Sequence, residues 1–206
     1  MAAAAVVMML VTGCQGDAEP SASGTSNSPS PSVGSATAEA PASASSSPEP
    51  SPASSLGPAA NLPVPVKPAL ADENSKEGLE AFTRYWLELF SYGYETNDWT
   101  RFDEITDPGC RTCVNLSGEV KNHYSENGWI SGGALSLNSQ DSKFVTNTSG
   151  SINSFVDVAQ EELRYFSQEG DELKHTDPTP SSVGVTIALW EFDHWVMLDF
   201  GSPEGT

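Results

Sequence analysis

The stretch GLEAFTRYWLELFSYGYETNDW, residues 78–99, decides the class of fold. Its large apolar side chains recur at steps of three and four residues, at Leu79, Phe82, Trp86, Leu89 and Phe90. This spacing places them on one face of an amphipathic helix, which must be buried against another element. We expect this helix to be capped by Asn74, with Glu77 at its third position, and to end near Gly93.

Two shorter helices are expected after this one. Asn97 is a typical cap for a helix that runs to about Ile105 and buries Trp99 and Phe102. Asp107-Pro108-Gly109 then breaks the helical pattern. A third helix is predicted from Cys110–Cys113 to Asn127-Gly128, because Leu116, Val120 and Tyr124 continue the apolar spacing.

After Gly128 the sequence changes to short apolar pieces separated by Gly, Ser and Asn, which favours strands and turns. We expect strands at Trp129-Ile130, 135–137, Phe144-Val145, 152–158, 162–167, 183–189 and 195–200, with Phe192-Asp193-His194 closing a hairpin between the last two. A block of helices followed by a run of strands indicates an α+β fold. The helices should pack on one face of a curved, mostly antiparallel sheet.

The order of elements resembles the nuclear transport factor 2-like or cystatin-like cone fold. Residues 85–102 and the C-terminal hairpin ending in Trp195-Val196-Met197 carry this likeness. The chain also resembles uncharacterised actinobacterial lipoproteins, which carry Asp107-Pro108-Gly109-Cys110-Arg111-Thr112-Cys113 after the first two helices. This resemblance implies a fold and a place in the cell envelope, without a reaction.

Residues 1–13 have the features of a secretory signal peptide. Met1 to Val11 are almost all small or apolar, and a run of this length is too short to span a bilayer as a mature helix. The run ends in Val11-Thr12-Gly13-Cys14, which resembles the lipobox of bacterial lipoproteins. The resemblance implies cleavage before Cys14, whose thiol then carries the acyl chains of a membrane anchor. We therefore expect the extracytoplasmic face of the cell membrane as the location.

Residues 14–71 are predicted to form a disordered stalk behind this anchor. From Gln15 to Leu56 the sequence is nearly all Ser, Ala, Pro, Gly and Thr, so it buries too little apolar surface to offset its ordering entropy. The segment 62–68 alternates Pro with apolar residues, which favours polyproline II. It is expected either to lie along the domain or to act as an extended linker. The folded domain is predicted to span 72–206, because every Trp, Tyr and Phe lies from Phe82 onward.

The chain is strongly acidic, with a formal net charge of −19 from 28 acidic and 9 basic side chains. Phosphate backbones are held by clustered Lys and Arg, and this chain has only isolated ones. Nucleic acid is therefore excluded as a partner. The acidity fits a soluble, self-repelling surface. A cationic partner or a divalent metal is the other interpretation.

Cys110 and Cys113 remain as a pair once Cys14 is lipidated. We expect a structural disulfide between them, since secreted proteins fold in oxidising compartments. A redox pair at the start of a helix is an alternative, although such a site usually follows a strand. A zinc site is a weaker alternative, because no second pair of ligands is present. No cofactor or metal site is predicted.

Aromatic side chains in a cone fold either fill the core or line a ligand cavity. The residues expected to line a pocket are Tyr85, Trp86, Tyr92, Trp99, Trp129 and His194. No nucleophile motif, phosphate-binding loop or metal-binding cluster occurs. The leading functional hypothesis is a non-catalytic module that binds an envelope protein, a wall component or a small ligand. The alternative is a small hydrolase, isomerase or dehydratase that uses the cone pocket.

Overall fold

The computed structural model describes residues 48–203. The predicted signal peptide, Cys14 and the stalk up to residue 47 lie outside the described residues. A short 3-10 helix at Ala69–Asp72 precedes the helices α1 (Lys76–Thr96), α2 (Thr100–Glu104) and α3 (Arg111–Ser125). The strands are β1 (Trp129–Gly132), β2 (Leu135–Asp141), β3 (Ser151–Gln160), β4 (Leu163–Phe166), β5 (Glu172–Thr176), β6 (Thr179–Glu191) and β7 (His194–Gly201). Between residues 48 and 203, no helix is long and apolar enough to cross a bilayer.

Helix α1 begins and ends at different residues from those predicted. Its cap is Ser75, whose hydroxyl accepts a hydrogen bond from the Gly78 amide at 2.9 Å, so the predicted Asn74 cap is one residue early. At the other end Asn97 takes the left-handed conformation, with φ 57°, and its amide donates to the Gly93 carbonyl. Asn97 therefore ends α1 rather than starting the next helix, which is a role that asparagine fills well.

The strands form two antiparallel sheets, where one was predicted. The first has the order β1-β4-β5 and the second the order β2-β3-β6-β7. The chain passes from β1 in the first sheet to β2 in the second through Gly132 and Gly133, whose φ angles are +73° and +77°. A Cβ at Gly132 would lie 2.2 Å from the Glu162 carbonyl oxygen, so only glycine fits this crossing.

The helices and strands confirm the predicted α+β class, with two differences among the strands. Phe144-Val145 is not a strand, because Phe144 has a φ of 51° and its amide donates to the Ser142 hydroxyl. Strand β5 was not predicted, since all of its side chains are exposed and show no apolar alternation. The C-terminal hairpin is confirmed, with a tight turn at Phe192 and Asp193, both at positive φ.

Both edges of the four-stranded sheet have partners. The backbone of residues 105–107 runs along β7: the Met197 amide donates to the Ile105 carbonyl at 2.9 Å, and the Asp107 amide donates to the Met197 carbonyl at 2.8 Å. On β2, the Arg84 guanidinium donates to the Leu137 carbonyl at 2.8 Å. These contacts occupy backbone groups that would otherwise be open to another strand.

The main hydrophobic core lies between α1 and the inner face of the four-stranded sheet. Trp86 is at its centre and is fully buried, with the rings of Phe102, Phe200 and Phe90 at 5.1, 5.3 and 5.5 Å. Its indole N–H donates to the Thr106 hydroxyl at 2.8 Å, which satisfies the one polar atom of the side chain.

The prediction that residues up to 71 are disordered is wrong for residues 48–71. Ser51 and Ala60 exchange two backbone hydrogen bonds of 2.8 Å, and the Ser54 carbonyl accepts from the Trp129 indole N–H. The buried Ala53 packs in a second, smaller cluster with Trp129 and Phe166. We call residues 48–66 the lead-in. Because the lead-in makes these contacts, the fold begins before Asp72. The contacts use backbone groups and small side chains, which the composition of the segment does not reveal.

Candidate functional site

A cavity of about 390 Å³ lies between the helices and the inner face of the four-stranded sheet, and we call it the sheet cavity. Helix α1 contributes Phe90 and Tyr94, α3 contributes Leu116, and the strands supply the opposite wall. The lining residues are Phe90, Tyr94, Leu116, Leu135, Val158, Gln160, Thr179, Ser182, Val183, Gly184, Phe200, Gly201 and Ser202. The volume lies within the range of small-molecule sites.

The inner wall of the sheet cavity is apolar and its rim carries neutral polar groups. Phe90 and Val158 are buried, whereas Ser182 and Ser202 at the rim are exposed. None of the lining residues is Asp, Glu, Lys, Arg or His, although the chain carries 28 acidic and 9 basic side chains. The uncharged lining therefore distinguishes this cavity from the rest of the surface, which is acidic.

Tyr94 is the principal polar group inside the sheet cavity. Burial raises the pKa of its phenol to about 12, the nearby Tyr165 adds to this, and the hydrogen bond with the Gln160 side chain opposes it. The phenol therefore stays protonated at neutral pH. Together Tyr94 and Gln160 offer one hydroxyl and one amide, which can both donate to and accept from an uncharged ligand.

The six side chains predicted to line a pocket are not brought together. Trp86 and Trp99 fill the main core, and Tyr85 is also buried. Trp129 belongs to the small cluster with Phe166. None of the six lines the sheet cavity.

The other two predicted pocket residues lie apart from this core. His194 begins β7 beside the hairpin turn, with its Nδ1 3.1 Å from the Phe192 carbonyl oxygen. Tyr92 lines a second cavity, of about 290 Å³, beside Leu62 and Pro63 of the lead-in.

Tyr94 is not among the six residues expected from the sequence to line a pocket, and Gln160 was not considered as a site residue. Tyr94 follows Phe90 by four residues on the apolar stripe of α1, so its position could have been inferred from the helical spacing. Gln160 gives no such signal, because it is an ordinary polar residue at the end of a strand. Its place in the cavity depends on how β3 lies against α1.

Glu95 lies in the second cavity and is half-buried. Burial raises the pKa of its carboxyl, and the charge of Glu161 adds to the rise. The hydrogen bond from the Gly132 amide, at 3.2 Å, acts in the opposite direction. The ionised carboxylate is therefore less stable here than in water.

The expected disulfide between Cys110 and Cys113 is confirmed. Both residues are buried, at 0% and 2% exposure, and Cys110 is the cap of α3. The Cys113 amide donates to the Cys110 sulfur at 3.3 Å, and this sulfur lies 3.6 Å from a carboxylate oxygen of Asp199 on β7. The bridge thus fixes the first turn of α3 beside the edge of the sheet, where solvent does not reach the sulfurs.

A metal site finds no support in the part of the chain that the structure describes. No group of three or more His, Cys, Asp or Glu residues between 48 and 203 is arranged to hold a metal ion.

The helices and the two antiparallel sheets define an α+β protein, with a cavity between the helices and the four-stranded sheet. The chain belongs to the family described as "Family of unknown function (DUF6318)", whose profile matches residues 48–200. This match begins where the lead-in begins, so the lead-in is part of the family's domain. No curated protein matches the chain.

Solved structures with a similar arrangement share little sequence with this chain. The intermembrane space region of the chloroplast protein ARC6 has a TM-score of 0.44 and 11% identity, covering 62% of this chain and 95% of that one. Aln2 from a Streptomyces species has a TM-score of 0.38 and 9% identity, covering 62% and 90%. An uncharacterised protein with a cystatin-like fold from Caulobacter vibrioides has a TM-score of 0.34 and 16% identity, covering 60% and 87%.

Proposed function

We propose that this domain is a non-catalytic binding module of the cell envelope, and that the sheet cavity takes an uncharged, partly apolar small molecule. The observation that carries the proposal is a cavity of about 390 Å³ with no charged side chain in its lining, in a chain of net charge −19. A charged ligand would lose its hydration there without gaining an opposite charge. An uncharged ligand loses less and gains contact with Phe90 and Phe200.

The neutral polar groups and the apolar wall of the sheet cavity contact different parts of the ligand. Aromatic and aliphatic side chains bury the apolar part of the ligand, and the neutral groups of Tyr94, Gln160 and Thr179 orient its polar part. This combination is typical of small-molecule sites, where a few polar groups set specificity and apolar burial gives most of the affinity.

A pair of matched fluorescent probes tests this proposal on the full chain. N-phenyl-1-naphthylamine is uncharged, and 1-anilinonaphthalene-8-sulfonate has the same ring system with one negative charge. We expect saturable binding of the uncharged probe. The sulfonate should bind with an affinity at least about tenfold lower. Absence of saturable binding by the uncharged probe, or a preference for the sulfonate, would contradict the proposal.

A substitution in the cavity assigns the binding to this site. Gln160→Glu places a carboxylate beside Tyr94, and it should weaken binding of the uncharged probe about tenfold, because a buried charge must be desolvated when the probe enters. Gln168→Glu is the matched control, since Gln168 is exposed in the turn after β4. Equal probe affinity in the two variants would show that the probe binds elsewhere.

The proposal places the domain at the extracytoplasmic face of the membrane, tethered by lipid on Cys14. The lipobox-like Val11-Thr12-Gly13-Cys14 after an apolar run supports this location. Cells fed an alkyne analogue of palmitate should label the native chain but not the Cys14→Ala variant. Thr12→Ala is the control, because a small residue remains at that position. Equal labelling of the native chain and Cys14→Ala would reject the anchor.

The alternative, an enzyme working in the cavity, receives less support from the lining residues. General acid–base catalysis by two groups needs two convergent ionisable side chains with suitable pKa values. The described lining supplies one ionisable side chain, Tyr94, and its pKa of about 12 is far from neutrality. Binding without reaction is therefore the function that the cavity supports better.

A further inference from the structure

Two buried polar atoms on the inner face of the four-stranded sheet have no hydrogen-bond partner among residues 48–203. They are the hydroxyl oxygen of Thr186 on β6 and the side-chain amide oxygen of Gln140 on β2. A buried polar atom without a partner costs free energy that folding does not return. Most buried polar groups in folded proteins are paired, so these two atoms need an explanation.

Ser154, on the strand between β2 and β6, connects these two side chains. Its hydroxyl accepts a hydrogen bond from the Gln140 amide nitrogen at 3.1 Å. It also lies directly opposite Thr186 in the register of β3 and β6, where side chains are about 5 Å apart at Cβ. Ser154 and Thr186 are each 2% exposed. We call Gln140, Ser154 and Thr186 the buried polar cluster.

The buried polar cluster lies next to the inner end of the sheet cavity. Along β6, Ser182 at the rim is exposed and Gly184 is buried, and both line the cavity. Thr186 follows Gly184 on the same face, about 7 Å farther along the strand. Phe200, which also lines the cavity, lies directly opposite Thr186 on β7. The Phe200 ring is therefore the neighbour that Thr186 and the cavity share.

The Phe200 ring has room to turn on the side of β6. Gly184 carries no side chain, and a Cβ at this position would lie 3.4 Å from the ring. Phe200 itself is only partly buried. A ligand that displaces this one ring reaches the Thr186 hydroxyl from the cavity.

We propose that the sheet cavity binds an uncharged ligand with a hydroxyl group, which turns the Phe200 ring aside and bonds to the buried polar cluster. This inference rests on the proposed binding of an uncharged molecule in the same cavity. A hydroxyl has one hydrogen to donate and two lone pairs to accept with. It can donate to the Gln140 oxygen and accept from the Thr186 hydroxyl. An ether has no hydrogen for the Gln140 oxygen.

Two isomeric ligands test the proposal on the full chain. 1-Octanol and 1-methoxyheptane contain the same atoms and have nearly the same length, but only the alcohol donates a hydrogen bond. We expect 1-octanol to displace N-phenyl-1-naphthylamine at a concentration at least about fivefold lower than 1-methoxyheptane, because one more hydrogen bond forms with the protein.

Substitutions at Thr186 assign this preference to the buried polar cluster. Thr186→Val removes the hydroxyl and keeps the shape of the side chain, so it should abolish the preference for the alcohol. Thr186→Ser keeps a hydroxyl and should retain it. Thr176→Val is the matched control, since Thr176 is exposed on β5 of the other sheet. Thermal melts separate binding from folding: Thr186→Val should not lower the melting temperature, because the hydroxyl that it removes has no partner in the described residues.

The outcomes distinguish this inference from the proposed function. Equal displacement by the two isomers, with saturable binding of N-phenyl-1-naphthylamine, would overturn the inference and leave the proposed function standing. An equal preference for the alcohol in Thr186→Val and Thr176→Val would overturn it as well, and so would a large fall in the melting temperature of Thr186→Val. Absence of saturable probe binding would overturn the proposed function and this inference together.

Discussion

The two hydrophobic clusters of this domain are built in different ways. The main core joins α1 to the four-stranded sheet and is made of large aromatic and aliphatic side chains, with Trp86, Phe90 and Phe102 in mutual contact. The small cluster joins the lead-in to the three-stranded sheet and depends on Trp129, Phe166 and the methyl group of Ala53. The main core contains many large side chains, whereas the small cluster contains few.

This difference separates the stability of the fold from the attachment of the lead-in. Loss of one side chain from the main core affects α1 and the sheet together, since both pack on it. Loss of one side chain from the small cluster should chiefly release residues 48–66. Tyr124 connects the two regions, because it packs against both clusters and its hydroxyl donates to the Glu95 carbonyl at 2.7 Å.

The largest effect is expected at Trp86. Trp86→Ala should lower the free energy of unfolding by about 4 kcal/mol, because it leaves a cavity in the centre of the main core. Denaturation in urea, followed by circular dichroism, measures this loss. Trp190→Ala is the control, since Trp190 is only partly buried near the end of β6, 5.1 Å from Trp195. An equal loss of unfolding free energy in Trp86→Ala and Trp190→Ala would contradict the central role of Trp86 in the main core.

A smaller and more local effect is expected at Trp129. Trp129→Ala should cost about 3 kcal/mol by removing the stack on Phe166 and the bond to the Ser54 carbonyl. Amide exchange should rise more in residues 51–60 than in α1. Trp129→Phe keeps an aromatic ring without the N–H, so it should cost less. Uniform exchange across the domain would mean that the lead-in and the main core open as one unit.

The connection between the clusters is tested by Tyr124→Phe, which removes one hydroxyl and keeps the ring. The Tyr94 and Glu95 carbonyls lose their donor, so we expect a loss of about 1 kcal/mol in the free energy of unfolding. Tyr165→Phe is a suitable control, since no hydrogen bond from its hydroxyl occurs among the described residues. An equal loss of unfolding free energy in Tyr124→Phe and Tyr165→Phe would contradict the connecting role of the Tyr124 hydroxyl.

The smallest effect concerns pH and Glu95. The folded-state pKa of Glu95 is raised above its unfolded value by burial. Its contribution to stability is therefore complete below the unfolded pKa, and it is lost as the pH rises through the folded pKa. Glu95→Gln should melt slightly higher than the native chain at pH 7, and this advantage should disappear below about pH 4. Glu169→Gln, in an exposed turn, should show no such dependence; an equal pH dependence would contradict the assignment.

Much of the fold could be predicted from local patterns. The spacing of Leu79, Phe82 and Trp86 specifies a helix because one face must be apolar, and the alternation in β6 specifies a strand for the same reason. The start and end of α1 were harder to predict. Asn97 suits the end of one helix and the start of the next equally well, and only the conformation of the folded chain decides between them.

The candidate site was predicted less well, because a cavity is a property of packing between distant segments. The expected pocket residues were chosen for aromatic character, yet large aromatic side chains such as Trp86 and Trp99 gain most by filling the core. The residues that line the sheet cavity include Gln160, Gly184 and Ser202, which have no distinctive local pattern.

The sequence by itself determined the α+β class, the apolar face of α1, the pairing of Cys110 with Cys113 and the final hairpin, since each depends on residues close together in the chain. Only the tertiary structure decided that the strands divide into two sheets, that the lead-in packs on Trp129, and that an uncharged cavity lies between the helices and the four-stranded sheet. These features depend on contacts between residues far apart in sequence, and local preferences do not specify such contacts.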